Sequence, residues 1–299
     1  MAHSGAWVAA TAAVTTVICA LRSRHERNHF KIEETVIASP KIRTARTLVF
    51  LSDLHDKEFG AGNEELLAAI RKINPDAVLI GGDMMVAKKG KAGLDVTRRL
   101  VQGLRNLGRP VYYANGNHEQ RLERETEHYG NLYRELLEIL QEQGVHYLSD
   151  ASEELWEDVQ ISGLNLDTCY YRDIFPARMK TSYIHDHLGQ SDARRFQILM
   201  VHSPLYHEAY AAWGADLALA GHFHGGTIRL PLLGGVMTPQ YQFFLPCCAG
   251  TLERDGRVMV VSRGLGTHSI NIRLNNYPQL VVVRLIPESG PGSNEKDNL

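Results

Sequence analysis

The chain has 299 residues, of which 44% are hydrophobic, enough for one sizeable core or at most two domains. Its 32 Lys and Arg residues nearly balance its 34 Asp and Glu residues, so it lacks the basic field with which a sequence-independent nucleic-acid binder neutralises phosphates. The four cysteines have neither CxxC nor disulfide-framework spacing, which favours a reducing compartment or indifference to redox conditions.

The N-terminal segment is an uncharged run of 17 residues, Gly5–Leu21, close to the lower length limit for a membrane-spanning helix. The positive charges follow this run, at Arg22, Arg24, Arg27 and Lys31. By the positive-inside rule, this order predicts a single-pass anchor at residues 1–21 in the cell membrane, with the rest of the chain on the cytoplasmic side. The alternative is a buried or fraying helix rich in Ala and Thr.

The main part of the chain repeats a unit of short hydrophobic strand, loop and amphipathic helix. Residues 22–45 are interpreted as a linker and a first strand at 30–39, and residues 46–286 as one domain. Further strands are predicted at Leu48–Leu51, Ala77–Ile80, Val111–Tyr113, Phe196–Val201, Leu217–Ala220, Val258–Val261 and Leu280–Leu285. Apolar residues have helical spacing at 66–73, 94–107 and 132–140, with Asn63 as the cap of the first helix.

Other stretches are less regular. Val145–Leu148 and Val159–Ser162 are typical of strands in a more antiparallel part of the sheet. Residues 165–190 are rich in Tyr, Arg, His and Asp without a clear period, which predicts a loop or small cap outside the core, of the kind that selects substrates. Residues 287–299 contain almost no apolar side chains and are expected to form a disordered tail.

Five predicted strand ends carry side chains of the kinds that bind metal ions. These residues are Asp53 and His55, Asp83, Asn117 with His118, His202, and His222 with His224. In open α/β sheets, ligands bind outside the carboxyl ends of the strands, so separate loops can converge on one place. A lone His at a strand end is ordinarily structural. Five such ends in one chain favour a common site.

The residue types limit what that site could hold. Asp, Asn and His without Cys form a mixed oxygen and nitrogen set, which suits manganese, iron or zinc rather than a thiolate-rich structural zinc site. Eight polar residues are more than one ion needs when one position stays open for water. Two ions about 3.5–4 Å apart would need a bridging carboxylate. Asp83 is the candidate for this bridge.

The order of motifs DxH, GD, GNH, H and GHxH resembles that of the calcineurin-like metallophosphoesterases, from about Leu48 to Leu285. The stretches GHFHGGTIRLP, SRGLG and RLNNYPQLVVV are similar in particular to the bacterial branch of membrane-associated phosphohydrolases that contains YkuE- and YaeI-type proteins. The resemblance implies an α/β fold, a four-layer α/β/β/α sandwich with two mixed β-sheets. It also implies a dinuclear hydrolase.

The resemblance also assigns roles to the residues. One metal would be held by Asp53, His55, Asp83 and His224, and the other by Asp83, Asn117, His202 and His222. His118 would be the catalytic residue that stabilises charge or protonates the leaving oxygen. The alternative for His118 is a structural residue behind the ligands.

The chain departs from the family pattern at three positions. Many relatives carry a carboxylate three positions after the metal-binding Asp, where it partners the catalytic His, but this chain has Val86 there. Glu119 or a backbone carbonyl is therefore expected to orient His118. Phe223 and Thr227 replace the usual Thr and Gln of the GHxHGG motif, which puts details of substrate contact in doubt.

The expected protein is a metal-dependent phosphohydrolase with two divalent ions, manganese being favoured over iron or zinc. It would hydrolyse phosphoester or pyrophosphate bonds of a phosphorylated small molecule or a lipid, and the predicted anchor favours a membrane-lipid or envelope precursor. The alternatives are a protein Ser/Thr phosphatase, a nucleotide phosphodiesterase or nuclease, and a non-catalytic scaffold. No nucleic acid or obligate protein partner is expected. Possible substrate contacts, with packing roles as the alternative, are Tyr170, Tyr171, Arg172 and Arg263.

Overall fold

The computed structural model describes residues 2–171, 177–267 and 270–288. The predicted contact Arg172 and most of the predicted disordered tail lie outside these ranges. The helices are α1 (Ala2–Arg27), α2 (Glu64–Ile73), α3 (Asp95–Arg105), α4 (Asn117–Arg124), α5 (Thr126–Tyr129), α6 (Leu132–Glu142), α7 (Thr181–Leu188) and α8 (His207–Trp213). The strands are β1 (Lys31–Ser39), β2 (Arg46–Leu51), β3 (Ala77–Ile80), β4 (Val111–Ala114), β5 (His146–Leu148), β6 (Ala151–Trp156), β7 (Val159–Leu164), β8 (Phe196–Val201), β9 (Leu217–Ala220), β10 (Arg229–Leu230), β11 (Gly234–Gly235), β12 (Gly250–Arg254), β13 (Arg257–Val261) and β14 (Gln279–Pro287).

The strands form two six-stranded sheets and one small hairpin. The first sheet has the order β1-β14-β2-β3-β4-β5, and the second has the order β12-β13-β9-β8-β7-β6. Both sheets are mixed, because β14 pairs antiparallel with β2, and β6 and β12 pair antiparallel with their neighbours. The hairpin pairs β10 with β11.

Alternating side chains of the central strands explain the layered architecture. In β2, Val49 and Leu51 pack in a core with the helices, whereas Leu48 and Phe50 pack in a second core between the two sheets. A third core lies beneath the helices of the second sheet, where Leu199 of β8 is buried. Burying one such side chain contributes about 1.5–3 kcal/mol. Three cores separate four layers, which confirms the predicted α/β/β/α sandwich with two mixed sheets.

Several local predictions differ from the structure. Asn63 adopts a left-handed backbone with φ of 65°, and its Oδ1 accepts a hydrogen bond from the Phe59 amide at 3.0 Å instead of capping α2. β5 pairs parallel with β4, so it is not in an antiparallel part of the sheet. The stretch 165–190 contains α7, whose Ile184 is fully buried in the third core. An amphipathic helix of two turns is too short for its period to stand out among polar neighbours.

The first helix covers the predicted anchor and continues beyond it. Ser23 and Glu26 near its C-terminus accept hydrogen bonds from the backbone amides of Arg273 and Asn276, at 3.1 and 2.9 Å. Within the described ranges, no helix combines the length and the apolar character that a bilayer crossing requires, so the predicted transmembrane helix is not borne out. Six Ala and three Thr fill more than half of the 17-residue run, and these side chains are short or polar.

Candidate metal centre

The carboxyl ends of five strands deliver the predicted ligands. Asp53 and His55 follow β2, Asp83 follows β3, and Asn117 begins α4 just after β4, all in the first sheet. In the second sheet, His202 follows β8, and His222 and His224 follow β9. The structure brings all of these residues and His118 together where the carboxyl edges of the two sheets meet.

The donor atoms lie at distances that suit a shared metal cluster. His202 Nε2 lies 3.0 Å from Asp83 Oδ2, and His55 Nε2 lies 3.7 Å from the same oxygen. His224 Nε2 lies 3.5 Å from Asp53 Oδ1. Three groups have donor atoms within 4.8 Å of one another: Asp53, His55 and His224; His55, Asp83 and His118; and Asp83, His202 and His222. Asp83 faces both ends of the cluster, as expected of a bridging carboxylate.

Two buried oxygens show that these residues fit divalent cations. In the part of the chain that the structure describes, Asn117 Oδ1 and Asp53 Oδ2 are buried and accept no hydrogen bond. A buried acceptor without a partner costs about 1–3 kcal/mol. Divalent cations at the cluster would supply that partner, and the mixed oxygen and nitrogen donors suit manganese, iron or zinc.

Most of the predicted ligands share the same strained backbone conformation. A left-handed conformation, with φ between 47° and 69°, occurs at five of the seven predicted ligands: Asp53, His55, Asp83, His222 and His224. Such a residue costs about 1–3 kcal/mol and persists only where its surroundings fix it. Here the loops fix one another, since the His222 amide donates to Asp53 Oδ1 at 2.9 Å and the His118 amide donates to Asp83 Oδ1 at 2.8 Å.

The carboxylates and imidazoles also determine one another's protonation. Burial raises the pKa of Asp53 to about 6. Burial alone would lower the pKa of His202, but the nearby carboxylates of Asp83 and Asp53 raise it to about 10. Burial would also raise the pKa of Asp83, but the charge of the neighbouring His202 holds it well below its usual range. Asp83 therefore stays ionised in a buried position, and a bound divalent cation would replace the protonated imidazole of His202 as its positive partner.

His202 and His118 have opposite tautomers, assigned from their backbone partners. His202 Nδ1 lies 2.9 Å from the Gly81 carbonyl, so Nδ1 donates, and a bound cation would displace the proton from Nε2 and take its lone pair. His118 Nδ1 instead accepts a hydrogen bond from the Ala87 amide at 2.7 Å, so Nε2 carries the proton. This arrangement agrees with the roles expected from the sequence, His202 as a metal ligand and His118 as a hydrogen-bond donor.

The predicted orienting partner of His118 is therefore wrong. Within the described ranges, His118 Nδ1 faces not Glu119 or a carbonyl but the amide of Ala87, one residue after the Val86 that replaces the usual carboxylate. Because the Ala87 N–H points at His118 Nδ1, a proton on Nδ1 would face another hydrogen-bond donor. Of the two roles expected for His118, this geometry favours stabilising negative charge with the Nε2 proton over protonating the leaving oxygen.

Glu119 has a structural role that the sequence did not reveal. Its buried carboxylate accepts from the amides of Asp83, Met84 and Gly116 at 2.9–3.0 Å and from the Tyr113 hydroxyl at 2.7 Å. It therefore joins the loop that carries the bridging aspartate to the turn that carries Asn117 and His118. The only sequence signal was its position next to the GNH motif.

Two glycines allow the loops to approach closely. A Cβ on Gly116 would overlap the carboxylate of Asp83, and one on Gly221 would overlap that of Asp53. Glycine is therefore needed in GNH and GHFH because of space around the aspartates.

A cleft of about 900 Å³ opens onto the cluster and contacts Asp83, Asn117, His118, His222 and His224. Tyr171 also lines it, with its ring centroid 5.1 Å from that of His222.

The other two described substrate-contact candidates have packing roles. Tyr170 packs between Tyr183 and Tyr206, and Arg263 pairs with Glu33. Phe223 is fully buried, and Thr227 lies in a smaller apolar groove beside His224.

A model of the family described as "Calcineurin-like phosphoesterase" matches residues 46–226, more than half of the chain. The chain belongs to the calcineurin-like phosphoesterase family. Its relatives in Bacillus subtilis include the uncharacterized protein YpbG, 25% identical over 281 residues, or 92% of this chain and 94% of YpbG. The metallophosphoesterase YkuE of B. subtilis is 33% identical over 98 residues, or 33% of this chain and 34% of YkuE. The phosphodiesterase YaeI of Escherichia coli is 24% identical over 244 residues, or 80% of this chain and 82% of YaeI.

These matches confirm the predicted family and its bacterial branch. A calcineurin-like phosphoesterase with this cluster is a hydrolase that acts on phosphoester bonds with divalent metal ions. When bound, two such ions supply a hydroxide near neutral pH and stabilise charge on the phosphoryl oxygens. The chain supplies the ligands, the braced loops that hold them, and the proton that His118 Nε2 directs into the cleft.

Proposed function

We propose that this enzyme hydrolyses a phosphodiester or pyrophosphate bond in an amphiphilic substrate, such as a lipid-linked precursor. The observation that carries the proposal is an apolar groove beside the metal cluster. The groove shares His224 and Pro239 with the main cleft, and its other walls include Met237, Ile270 and Ile272. A substrate with its phosphoryl group at the cluster would place an attached alkyl chain in this groove.

The surface around the groove supports the same proposal. Leu232 is fully exposed, and Leu233, Tyr241, Phe243 and Phe244 are also largely exposed. All belong to the segment between β9 and β12, which also contributes Met237 and Pro239 to the groove. Contiguous apolar surface beside a site usually marks an apolar ligand or a lipid interface.

The test compares two esters with the same charge and leaving group, dodecyl p-nitrophenyl phosphate and methyl p-nitrophenyl phosphate, below micelle-forming concentration. Each buried methylene contributes about 0.8 kcal/mol, so partial burial of the chain should raise kcat/KM by about tenfold or more. Ile272→Ser should reduce this preference. Ile32→Ser, which changes an exposed Ile on β1 away from the groove, is the matched control. Equal kcat/KM for the two esters would contradict the amphiphilic substrate.

We also propose manganese as the metal. The ligand set has no thiolate and combines carboxylate, amide and imidazole donors, which suits manganese among the divalent ions. Enzyme stripped with a chelator and reconstituted with Mn²⁺, Fe²⁺ or Zn²⁺ would be assayed with bis-p-nitrophenyl phosphate. The highest turnover is expected with Mn²⁺, and higher turnover with Zn²⁺ or Fe²⁺ would reassign the metal.

A peripheral contact with the membrane surface through α1 is a third proposal. Trp7, Val14, Ile18 and Leu21 are exposed on this helix, and Arg22 and Arg24 follow them. Exposed apolar side chains would insert at the surface of a bilayer, and the basic residues that follow them would attract anionic headgroups. The full chain should sediment with anionic vesicles, and Trp7→Glu with Ile18→Glu should release it. Sedimentation that these substitutions do not change would contradict the proposed contact.

A further inference from the structure

We infer that the main cleft contains a second anion-binding subsite, a cationic wall formed by Lys88, Lys89, Arg121 and Arg124, which binds a second phosphoryl group of the substrate. The inference rests on the proposed function, because it takes the cleft to be where a phosphoester is hydrolysed. All four side chains line the cleft that also contacts Asn117 and His118.

The loop that carries the two lysines is fixed next to the catalytic histidine. The Ala87 amide donates to His118 Nδ1, and the Ala87 carbonyl accepts from Arg121 Nη1 at 3.1 Å and from the Tyr129 hydroxyl at 3.0 Å. Lys88 and Lys89 follow Ala87 directly. The hydrogen bonds of Ala87, one of which orients His118, therefore also fix the backbone position from which the two lysine side chains extend.

Helix α4 places the two arginines on the same side. Arg121 and Arg124 come four and seven residues after Asn117, a spacing that puts all three on one helix face. At a rise of 1.5 Å per residue, they lie about 6 and about 10 Å along the helix axis from the predicted metal ligand. The wall therefore starts at the metal cluster and extends away from it, as a substrate with two separated phosphoryl groups would require.

Two acidic side chains approach the wall without close contact, and one of them, Glu125, also lines the cleft. Arg121 lies 4.0 Å from Glu125, and Arg124 lies 4.0 Å from Asp167, distances too long for a charge-assisted hydrogen bond. No acidic side chain among the described residues pairs with Lys88 or Lys89, and both are exposed. The whole chain has a net charge of -2, so this clustering of positive charge is not a consequence of composition. Such a cluster raises the local concentration of anions.

The geometry thus points to a substrate with one phosphoryl group at the cluster and another on the wall, as in a diphosphate or a bisphosphorylated molecule. A matched pair of substrates isolates this second charge. The 2-phosphonoethyl and propyl esters of p-nitrophenyl phosphate have the same reacting group and leaving group. They differ in a phosphonate that only the first carries.

The phosphonoethyl ester should have a kcat/KM about tenfold higher than the propyl ester, and raising NaCl from about 0.05 to about 0.5 M should reduce this ratio. In Lys88→Gln/Lys89→Gln the ratio should fall about fivefold or more, chiefly through KM. Arg124→Gln, which leaves the contacts of Ala87 in place, should lower the ratio as well. The control is Lys91→Gln, since this exposed lysine of the same loop does not line the cleft and should leave the ratio unchanged.

A ratio near one in the unaltered enzyme, or a ratio that the wall variants do not change, would overturn the subsite while the proposed function stands. Failure to hydrolyse either of these esters or the dodecyl ester, with metal supplied, would overturn the proposed function and the subsite with it.

Discussion

The floor and the rim of the active site are built in different ways. At the floor, short loops hold buried ligands in strained conformations and are joined by hydrogen bonds between their backbones and carboxylates. At the rim, one side is cationic and the other apolar, and most of the side chains that define both sides are exposed. The floor supplies the chemistry common to the family, while the rim carries the features that we propose select a substrate. Substitutions should therefore separate the two.

The largest effect is expected at the floor, from Asp83→Asn. Asp83 Oδ2 approaches His202 in one half of the cluster and His55 in the other, so its loss should weaken both metal sites. Turnover of bis-p-nitrophenyl phosphate should fall by roughly 10³-fold or more, and metal content measured by mass spectrometry should fall below two ions per chain. Chelation of the unaltered enzyme should have a similar effect. Activity that survives both treatments would contradict a metal-dependent mechanism.

The next effect distinguishes two adjacent residues, Asn117 and His118. His118→Ala should keep the metal content and lower kcat by about 10²–10³-fold, the usual result of removing one donor that stabilises developing charge. Asn117→Ala should instead weaken binding of one metal, and excess Mn²⁺ should recover part of its activity. Full activity in His118→Ala would show that the donor role assigned to this residue is wrong.

A smaller effect is expected from Glu119→Gln, which tests the brace behind the ligands. The amide keeps one oxygen acceptor but brings an N–H group toward amides that need acceptors. We expect a loss of about 1–3 kcal/mol in the free energy of unfolding, measured with denaturant, and about 10–100-fold weaker metal binding. Glu123→Gln on the exposed face of α4 is the control and should change neither quantity.

The smallest effect on stability is expected at the rim. Leu232 is fully exposed and has a left-handed backbone with φ of 68°, a conformation that Asn adopts more readily than Leu. Leu232→Asn should therefore change the free energy of unfolding by less than about 0.5 kcal/mol. If this segment contacts the alkyl part of the substrate, the same variant should lower the preference for the dodecyl ester. A large loss of stability would mean that the rim is not separate from the floor.

The sequence predicted most accurately the elements that are buried on both faces. β3 at Ala77–Ile80 and β8 at Phe196–Val201 have the predicted bounds, because a short, mostly apolar run between turn residues favours a buried strand. It failed for α7 and β6, which are short and half exposed, so their apolar residues are too few to define a period. It also missed β10 and β11. Each of these strands has only two residues, and the segment that contains them borders the groove and not a hydrophobic core.

The sequence alone identified the metal-type residues, their position at strand ends and the family, because these depend on residue type and order. It could not determine the proton on His118, which depends on a hydrogen bond to an amide 31 residues away in the chain. It also could not show that Lys88 and Arg124 share one cleft, or that Ile272 lies beside His224. Those relations join distant segments, and only the packing of the two sheets brings these segments together.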